Sequence, residues 1–493
     1  MINCVSNEVM RISDKYTIDN FESSVSLMGK AAQVLFESVE WKEPVYIISG
    51  KGNNGGDGIA LCNILKNKGY KVSLFLVDEK VSKDSEYYLD KLKEDKFNRI
   101  FSIKQCDYKG NTIVDCLLGT GFSGELKEPY SSIIDKINKS NAFKVSCDIP
   151  SGLNGDNGLT NKAVKADVTV AIQFIKSGEV LNSGKEYTGK LLFKDIGIEL
   201  KGEGYKIVQE EDVNIFTKRS ANANKSSYGK STIIGGCAKY VGAIKLANMG
   251  VSALRCGGGL NTIATLNSLC KELSGVIYES TLYPMDEDNG CIKFNKEKLD
   301  NIIKSSKCLA VGMGIGENYL ETLKIIGYIF ENFQKPVLID ADGLNALSTK
   351  MEVLNGAKSK IILTPHPKEM SRLLGLDINK ILENPIYYAK ELANRYGIYV
   401  LLKGASSIIT DGNIVYLVTN GGPELAKGGS GDTLSGVILG LLSQNFDILT
   451  SMYVGAYLCA KAASNAKEEF SEYGVLASDV AREIAKIIKN QQV

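Results

Sequence analysis

Two tandem α/β domains, each a sheet held between helical layers, are what the sequence predicts. Three observations lead there. Short apolar runs end repeatedly in glycine-rich or acidic turns that open onto helical periodicity. The series runs twice, with a charged and polar break at 201–225 that holds Gly202, Gly204 and Ala221-Asn-Ala-Asn224. The 493 residues also exceed one ordinary core. We place the boundary between 215 and 216, giving domains 1–215 and 216–493.

The first helical stretch is 8–40, where Ile18, Phe21, Val25 and Met28 share a face that Ala31, Ala32, Val34 and Leu35 continue. A strand at 44–49 enters Gly50-Lys-Gly-Asn-Asn-Gly-Gly-Asp-Gly58; a helix with Ile59, Leu61, Ile64 and Leu65 follows, then a strand at 71–77. This order is a βαβ unit, and a glycine-rich turn in that place usually cradles phosphate or a dinucleotide. It has neither the Gly-Lys-Ser/Thr close of a Walker loop nor the GxGxxG of an NAD fingerprint. Asn53, Asn54 and Asp57 offer groups suited to a hard cation, a ribose or an amide. The same run also reads as a plain turn with its asparagines in left-handed conformations.

Strands at 112–118, 143–148 and 167–172 follow. Asp115 lies inside the first, which ends in Gly119-Thr-Gly-Phe-Ser-Gly-Glu125. The second ends in Asp148-Ile-Pro-Ser-Gly152. Loops at the carboxyl ends of strands converge in open α/β sheets, so 50–58, 119–125 and 148–152 could build one site. Asp148, held ahead of Pro150, has the position of an active-site acid or of a turn-forming aspartate.

The second half restarts with a strand at 230–236 and a helix at 241–255, then strands at 260–266, 307–312, 336–340, 360–363 and 399–402. These end in Gly312-Met-Gly-Ile-Gly316, Asp340-Ala-Asp-Gly343, Thr364-Pro-His-Pro367 and Lys403-Gly-Ala-Ser-Ser407. Strands 408–410 and 414–419 form a hairpin about Asp411-Gly412. In Leu425-Ala-Lys-Gly-Gly-Ser-Gly-Asp-Thr-Leu-Ser-Gly436 a glycine turn opens a helix with Leu434, Val437, Ile438, Leu441 and Leu442 on its apolar face. Such a start points free N–H groups at an anion. Asp432 beside it is placed as a general base for a hydroxyl meeting a phosphoryl group, or merely complements the helix dipole.

Composition excludes several classes. A net charge of +1 gives no field for nucleic acid or membrane, and no run approaches ~20 apolar residues. The 11 cysteines form no CxxC pair, against structural zinc or a disulfide framework and in keeping with a reducing cytosol. No signal peptide is visible, so a cytoplasmic location is expected. A single histidine, His366, leaves no room for His-rich metal sites or Ser–His–Asp chemistry. Between two prolines it suits ligand binding more than catalysis. Lys403 reads as a phosphate contact or as a solvated lysine. Asp340 and Asp342 could hold Mg²⁺ through water, or cap the helix that begins near Leu344.

These motifs together resemble a known family over nearly the whole chain. The loops 50–58 and 115–125 and Asp148-Ile-Pro-Ser-Gly152 resemble the epimerase domain that acts on hydrated nicotinamide dinucleotides. Gly235-Gly236, Tyr240-Val-Gly-Ala243, Gly312-Met-Gly314, Asp340-Ala-Asp-Gly343, Thr364-Pro-His-Pro367, Lys403-Gly404 and Gly429-Ser-Gly-Asp432 resemble its dehydratase partner. The fused pair is the family of bifunctional NAD(P)H-hydrate repair enzymes. The resemblance implies a Rossmann-like first domain and a ribokinase-like second one.

It also implies roles. In the first domain Asn53, Asn54, Gly55, Gly56 and Asp57 would bind the hydrated dinucleotide, and Gly119, Thr120, Gly121, Phe122, Ser123, Gly124 and Glu125 its phosphates. Asn54, Asp115 and Ser151 would hold potassium. Asp148 would contact the substrate and do the acid–base work. In the second domain Gly314, His366, Pro367, Lys368, Glu369, Met370, Ser371 and Arg372 would meet the hydrated dinucleotide. Lys403, Gly404, Ala405, Ser406, Ser407, Gly422, Pro423, Glu424, Leu425, Ala426, Lys427, Gly428, Gly429, Ser430 and Gly431 would hold ADP or ATP, with nucleotide-bound Mg²⁺. Asp432 would contact the substrate as the base.

The family usually has Met-Glu where this chain has Met28-Gly29, often His-Lys for Asn224-Lys225, and Gly-Gly-Ser for Gly235-Gly236-Cys237. The expected activity is epimerisation of the R and S hydrates of NADH and NADPH and nucleotide-dependent dehydration of the S form. ADP is the expected co-substrate, ATP the alternative, and a homo-oligomer is expected. The competing reading is a ribokinase-type small-molecule kinase fused to a dinucleotide-binding or interaction module.

Overall fold

The computed structural model describes residues 1–249 and 255–491. The chain divides into two compact units, Asn3–Tyr205 and Lys206–Val493 together with Met1–Ile2.

In the first unit, seven strands lie in the order Ile100–Ser102, Val72–Leu76, Val45–Ser49, Thr112–Cys116, Phe143–Cys147, Val168–Ile172, Lys190–Lys194. Every neighbouring pair is parallel. Successive side chains of a strand face opposite layers. Ile47 and Val114 therefore enter one core with Leu27, Ala31, Ile59 and Leu65, while Ile48 and Ile113 enter another with Ile133, Ile134 and Ile137. This is the three-layer arrangement the sequence predicts. Cys4 and Val5 pair in parallel with Ile175 and Lys176, an edge contact that the sequence did not reveal.

Two expectations change here. The stretch 8–40 is not one helix but two, Asn7–Asn20 and Ser24–Ser38. The break forms because Ser23 caps the second helix, its Oγ accepting from Ser26 N at 3.2 Å. The glycine-rich run 50–58 is not all turn either: helix Asn53–Asn67 already begins inside it, and Asn53 and Asn54 are helical rather than left-handed. Glycine permits this start. A Cβ on Gly55 would lie 1.9 Å from the Gly50 carbonyl oxygen, so any side chain would push the helix off the strand that feeds it.

In the second unit the strand order is Thr281–Met285, Leu260–Leu266, Lys230–Ile234, Cys308–Val311, Pro336–Ile339, Lys360–Leu363, Tyr399–Leu402, Ser407–Thr410, Val415–Val418. The pairings are parallel as far as Tyr399–Leu402 and antiparallel through the hairpin, whose last strand also pairs with Lys206 and Ile207. The helix expected at 241–255 is described as Val241–Asn248; positions 250–254 of that expectation lie outside the described residues. The helix expected near Leu344 starts earlier, as Asp342–Ser348. Among the described residues no helix is long and apolar enough to cross a membrane.

Candidate functional site

Each sheet reverses its strand order once in its middle, and a crevice opens where the connections diverge. In the first unit the reversal lies between Val45–Ser49 and Thr112–Cys116. A cavity of about 620 Å³ opens there. Asn53, Asn54 and Asp57 reach it from the helix start, and Gly119, Thr120, Gly121, Phe122 and Ser123 from the next loop. Asp148 joins them, with Leu27, Met28 and Ile172 as apolar wall. Gly55 and Gly56 are buried behind the helix start instead, and Gly124 and Glu125 are exposed on the loop.

Asp148 holds an unusual backbone conformation for a residue with a side chain, φ 65°. Such strain persists only where surroundings enforce it, and it collects at functional sites. The enforcing contacts are visible. Asp148 N donates to Val170 O at 2.9 Å, and Asp148 Oδ1 accepts from Ile172 N at 3.1 Å and from Lys176 Nζ. Oδ2 accepts no hydrogen bond among the described residues. Lys176 is fully buried. Burial alone would depress it, but the charges of Asp148 and Glu179 outweigh that and raise it.

Three more carboxyl groups surround this pair. Desolvation, then Asp148 and Asp14, push Asp57 well above the usual carboxylate range. Asp14 is raised by burial and by Asp148. Glu179 is pushed to about 8 by burial, against the pull of Lys176. Its Oε2 accepts from Lys176 N at 2.7 Å, and its Oε1 is buried with no hydrogen-bond partner among the described residues. Lys176 and Asp14 are residues the sequence reading missed. The only signal for Lys176 was one charge directly after the largely apolar run 170–175.

Beneath the pocket, Asp115 is buried and raised by desolvation, although four donors hold it. They are Ser151 Oγ, Ser151 N at 2.9 Å, Ser146 Oγ at 2.9 Å and Leu117 N at 3.2 Å. Leu118 O accepts from Asn54 Nδ2 at 2.8 Å and from Ser151 Oγ at 3.1 Å. Asn54 Oδ1 is buried without a hydrogen-bond partner among the described residues. An orphaned amide oxygen beside a buried carboxylate, a hydroxyl and a carbonyl is an oxygen donor set, and it fits a hard monovalent cation.

In the second unit the reversal lies between Lys230–Ile234 and Cys308–Val311. Asp340 ends the next strand. Its Oδ1 accepts from Lys403 Nζ at 2.8 Å and Ala341 N at 2.9 Å, and its Oδ2 from Ser435 Oγ at 2.7 Å. Lys403 is therefore ion-paired rather than solvated, and Glu369 Oε2 lies 3.9 Å from the same ammonium. His366 Nδ1 accepts from Lys368 N and Glu369 N at 3.1 and 3.2 Å, capping helix Pro367–Leu374. Burial, then Lys403 and Arg372, lower this histidine, so it stays neutral. Asp342 Oδ2 accepts from Gly316 N at 3.1 Å, and Arg372 Nη1 reaches Asn345 Oδ1 at 2.7 Å. Met370 is fully buried.

Helix Ser430–Ser443 starts at Gly429, whose φ of 96° favours glycine, and no side chain caps it. Ser430 N donates to Lys427 O at 3.4 Å, and the next N–H groups of the first turn face outward as an anion site would need. Asp432 sits in that first turn and is pushed to about 7, by burial and then by Asp340, with Lys403 opposing. Glu369 likewise rises to about 7 through burial. A Cβ on Gly431 would lie 3.4 Å from Lys403 Nζ and 3.8 Å from Asp340 Oδ2, so the glycine turn abuts the ion pair. Glu424, inside the run 422–431, is buried, and its Oε2 has no hydrogen-bond partner among the described residues. Among the described residues no group of three His, Cys, Asp or Glu side chains could hold a metal, so this half offers no ready-made cage for a divalent ion.

Comparison with known proteins fits both halves. Residues 231–486 match the family described as NAD(P)H-hydrate dehydratase, and residues 25–178 match the YjeF-related protein N-terminus. The chain belongs to the family of bifunctional NAD(P)H-hydrate repair enzymes. A bifunctional NAD(P)H-hydrate repair enzyme of Coxiella burnetii is 30% identical, over 96% of this chain and 97% of its own. That of Archaeoglobus fulgidus is 32% identical, over 93% and 92%. Among solved structures, the ADP/ATP-dependent NAD(P)H-hydrate dehydratase from Bacillus subtilis, co-crystallised with ATP and Mg²⁺, is 26% identical with a TM-score of 0.51. It covers 58% of this chain and 99% of its own. Membership in the repair family fits a chain in which the sheet of each unit has its own reversal of strand order and its own raised acid.

Proposed function

We propose that the chain repairs hydrated NADH and NADPH in two steps. Domain 1–215 interconverts the R and S hydrates, and domain 216–493 dehydrates the S hydrate at the expense of ADP, or alternatively ATP. The observation that carries the reading is Asp432. It is a carboxyl poised near neutrality at an uncapped helix start, beside the Lys403–Asp340 pair.

The chemistry follows from the substrate. Water adds to an enamine at the carbon beside nitrogen, so the hydrate carries a hydroxyl there. Hydroxide is a poor leaving group. In the second domain Asp432 takes the hydroxyl proton as the oxygen attacks the terminal phosphorus of the nucleotide. The N–H groups at the glycine turn take up the developing charge. The phosphate ester then breaks at carbon, the ring nitrogen supplies the electron pair, and loss of a proton from the adjacent carbon restores the double bond. Phosphate and AMP, or ADP, are released. Mg²⁺ would enter with the nucleotide phosphates, whose charge it neutralises. Lys403 and the runs 403–407 and 422–431 would hold the nucleotide, and Gly314 with 366–372 the hydrate.

In the first domain the hydroxyl and the ring nitrogen share one carbon. Asp148 takes the hydroxyl proton, a carbonyl forms, the C–N bond breaks, and nitrogen takes a proton from an acid. Closure from the other face inverts the centre. Asn53, Asn54, Gly55, Gly56 and Asp57 with 119–125 would seat the substrate. Potassium at Asn54, Asp115 and Ser151 would supply charge to balance the buried carboxylate. We place the chain in the cytoplasm as a homo-oligomer, the latter open to sedimentation analysis.

The test is incubation of the full chain with hydrated NADH and ADP or ATP, following the return of reduced-nicotinamide absorbance. No recovery with either nucleotide overturns the reading. Accumulation of a stable phosphate ester would identify a kinase instead.

A further inference from the structure

Four carboxyl groups and one buried cation cluster at and behind the wall of the first unit's pocket. Asp14 comes from helix Asn7–Asn20, Asp57 from helix Asn53–Asn67, Asp148 from the end of strand Phe143–Cys147, and Glu179 from the short helix after Lys176. Each is coupled electrostatically to Asp148, to Lys176 or to both. The thiol of Cys147 faces the same cluster. Among the described residues Asp148 is the carboxyl group of this cluster that has the lysine ammonium directly on it. The bond goes to Oδ1, which Ile172 N also holds, while Oδ2 stays without a donor on a side chain that lines the cavity.

A fully buried ammonium is costly unless paired, so the fold keeps Lys176 for a reason. Surface ion pairs would serve stability as well at lower cost. Here the cation sits on the one carboxylate of the cluster whose backbone has a positive φ, 65°, and that carboxylate lines the cavity.

We propose that Lys176 is the positioning residue of the epimerisation: its charge, held on Oδ1, favours the carboxylate form that a base needs and fixes the Asp148 side chain with Oδ2 aimed at the substrate hydroxyl, while Asp57, on the same cavity wall, carries the proton that the ring nitrogen needs. This rests on Asp148 being the base. The proton ledger closes within the cluster. The hydroxyl proton goes to Asp148 as the C–N bond breaks, and the Asp57 proton goes to nitrogen. Ring closure returns both, so no outside acid or base is consumed. The desolvation that raises Asp57 supports its role as the protonated partner.

The experiment uses the full chain and one isolated epimer of hydrated NADH, with interconversion followed by chromatography after subtracting the uncatalysed rate. In Lys176→Met, the acid limb of the kcat/KM profile is expected to move up by about one pH unit or more, with activity recovering as the medium becomes alkaline. Lys176→Arg keeps a cation, so its limb is expected to stay in place while turnover falls through the altered reach. An unmoved limb in folded Lys176→Met overturns the proposal, because a merely structural lysine would lower activity equally at every pH. If Lys176→Met does not fold, a limb displaced upward in Lys176→Arg overturns it equally. Asp148→Asn separates the layers. Undiminished interconversion there removes the base assignment itself; lost interconversion together with an unmoved Lys176→Met limb removes only the role of the lysine.

Discussion

Asp432 offers the sharpest quantitative test. Burial and Asp340 raise its carboxyl to about 7, with Lys403 opposing. A base works only when ionised, and kcat/KM reports the ionisation of the free enzyme. Between about pH 8 and about pH 6 the ionised fraction of such a group falls from roughly nine-tenths to roughly one-tenth. Dehydration measured as kcat/KM should therefore fall about tenfold over that span. Glu369 titrates in the same range, also at about 7, so the limb must be assigned by mutation. Glu369→Gln is expected to leave an acid limb in place. Asp432→Asn should cost about 10²–10⁴-fold in dehydration, the range of a lost general base, while epimer interconversion by the other domain continues. The assay is the return of reduced-nicotinamide absorbance at saturating nucleotide, over a pH series. A profile flat from about pH 6 to about pH 8, or a fully active Asp432→Asn, would refute the assignment.

Other outcomes follow from single contacts. Asn54→Ala removes the orphaned amide oxygen, so interconversion should lose any response to KCl against tetramethylammonium chloride, and an unchanged response would refute the site. Gly55→Ala places a Cβ 1.9 Å from the Gly50 carbonyl oxygen, and calorimetry should show the first unit destabilised by about 1–3 kcal/mol or more. Glu179 titrates at about 8 when folded against 4.5 as its ordinary value, so the folded state binds the extra proton. Its contribution thus falls as pH rises through that window, and Glu179→Gln should flatten the decline in melting temperature; an unaltered decline would show that another group titrates.

Much of the fold was legible because strands and helices announce themselves locally. Period-two and helical spacing, with glycine at the turns, placed most central strands to within a residue or two in both units, but not the edge strands Ile100–Ser102, Lys190–Lys194 and Thr281–Met285. The site loops were legible for a related reason, since an open α/β sheet gathers its functional residues at the carboxyl ends of strands. Asp148, Lys403 and His366 were singled out on that ground, and Asp432 by the glycine turn that opens its helix. The helix break at Ser23 was not, because apolar spacing continued straight through it.

What the sequence could not determine was which charges meet. Lys176 finds Asp148 across 28 positions, and Ser435 finds Asp340 across 95. Those pairings depend on strand order and on what is packed over the ends of the sheet. The same holds for protonation. An aspartate in a sequence has one ordinary pKa, and only burial among neighbouring carboxyls raises Asp57 and brings Asp432 to about 7. The sequence by itself determined the order of elements and the residues at their ends. The tertiary structure decided which of those residues is desolvated, which is paired and which is left with a free oxygen, because solvation and Coulomb energy are properties of surroundings rather than of residue type.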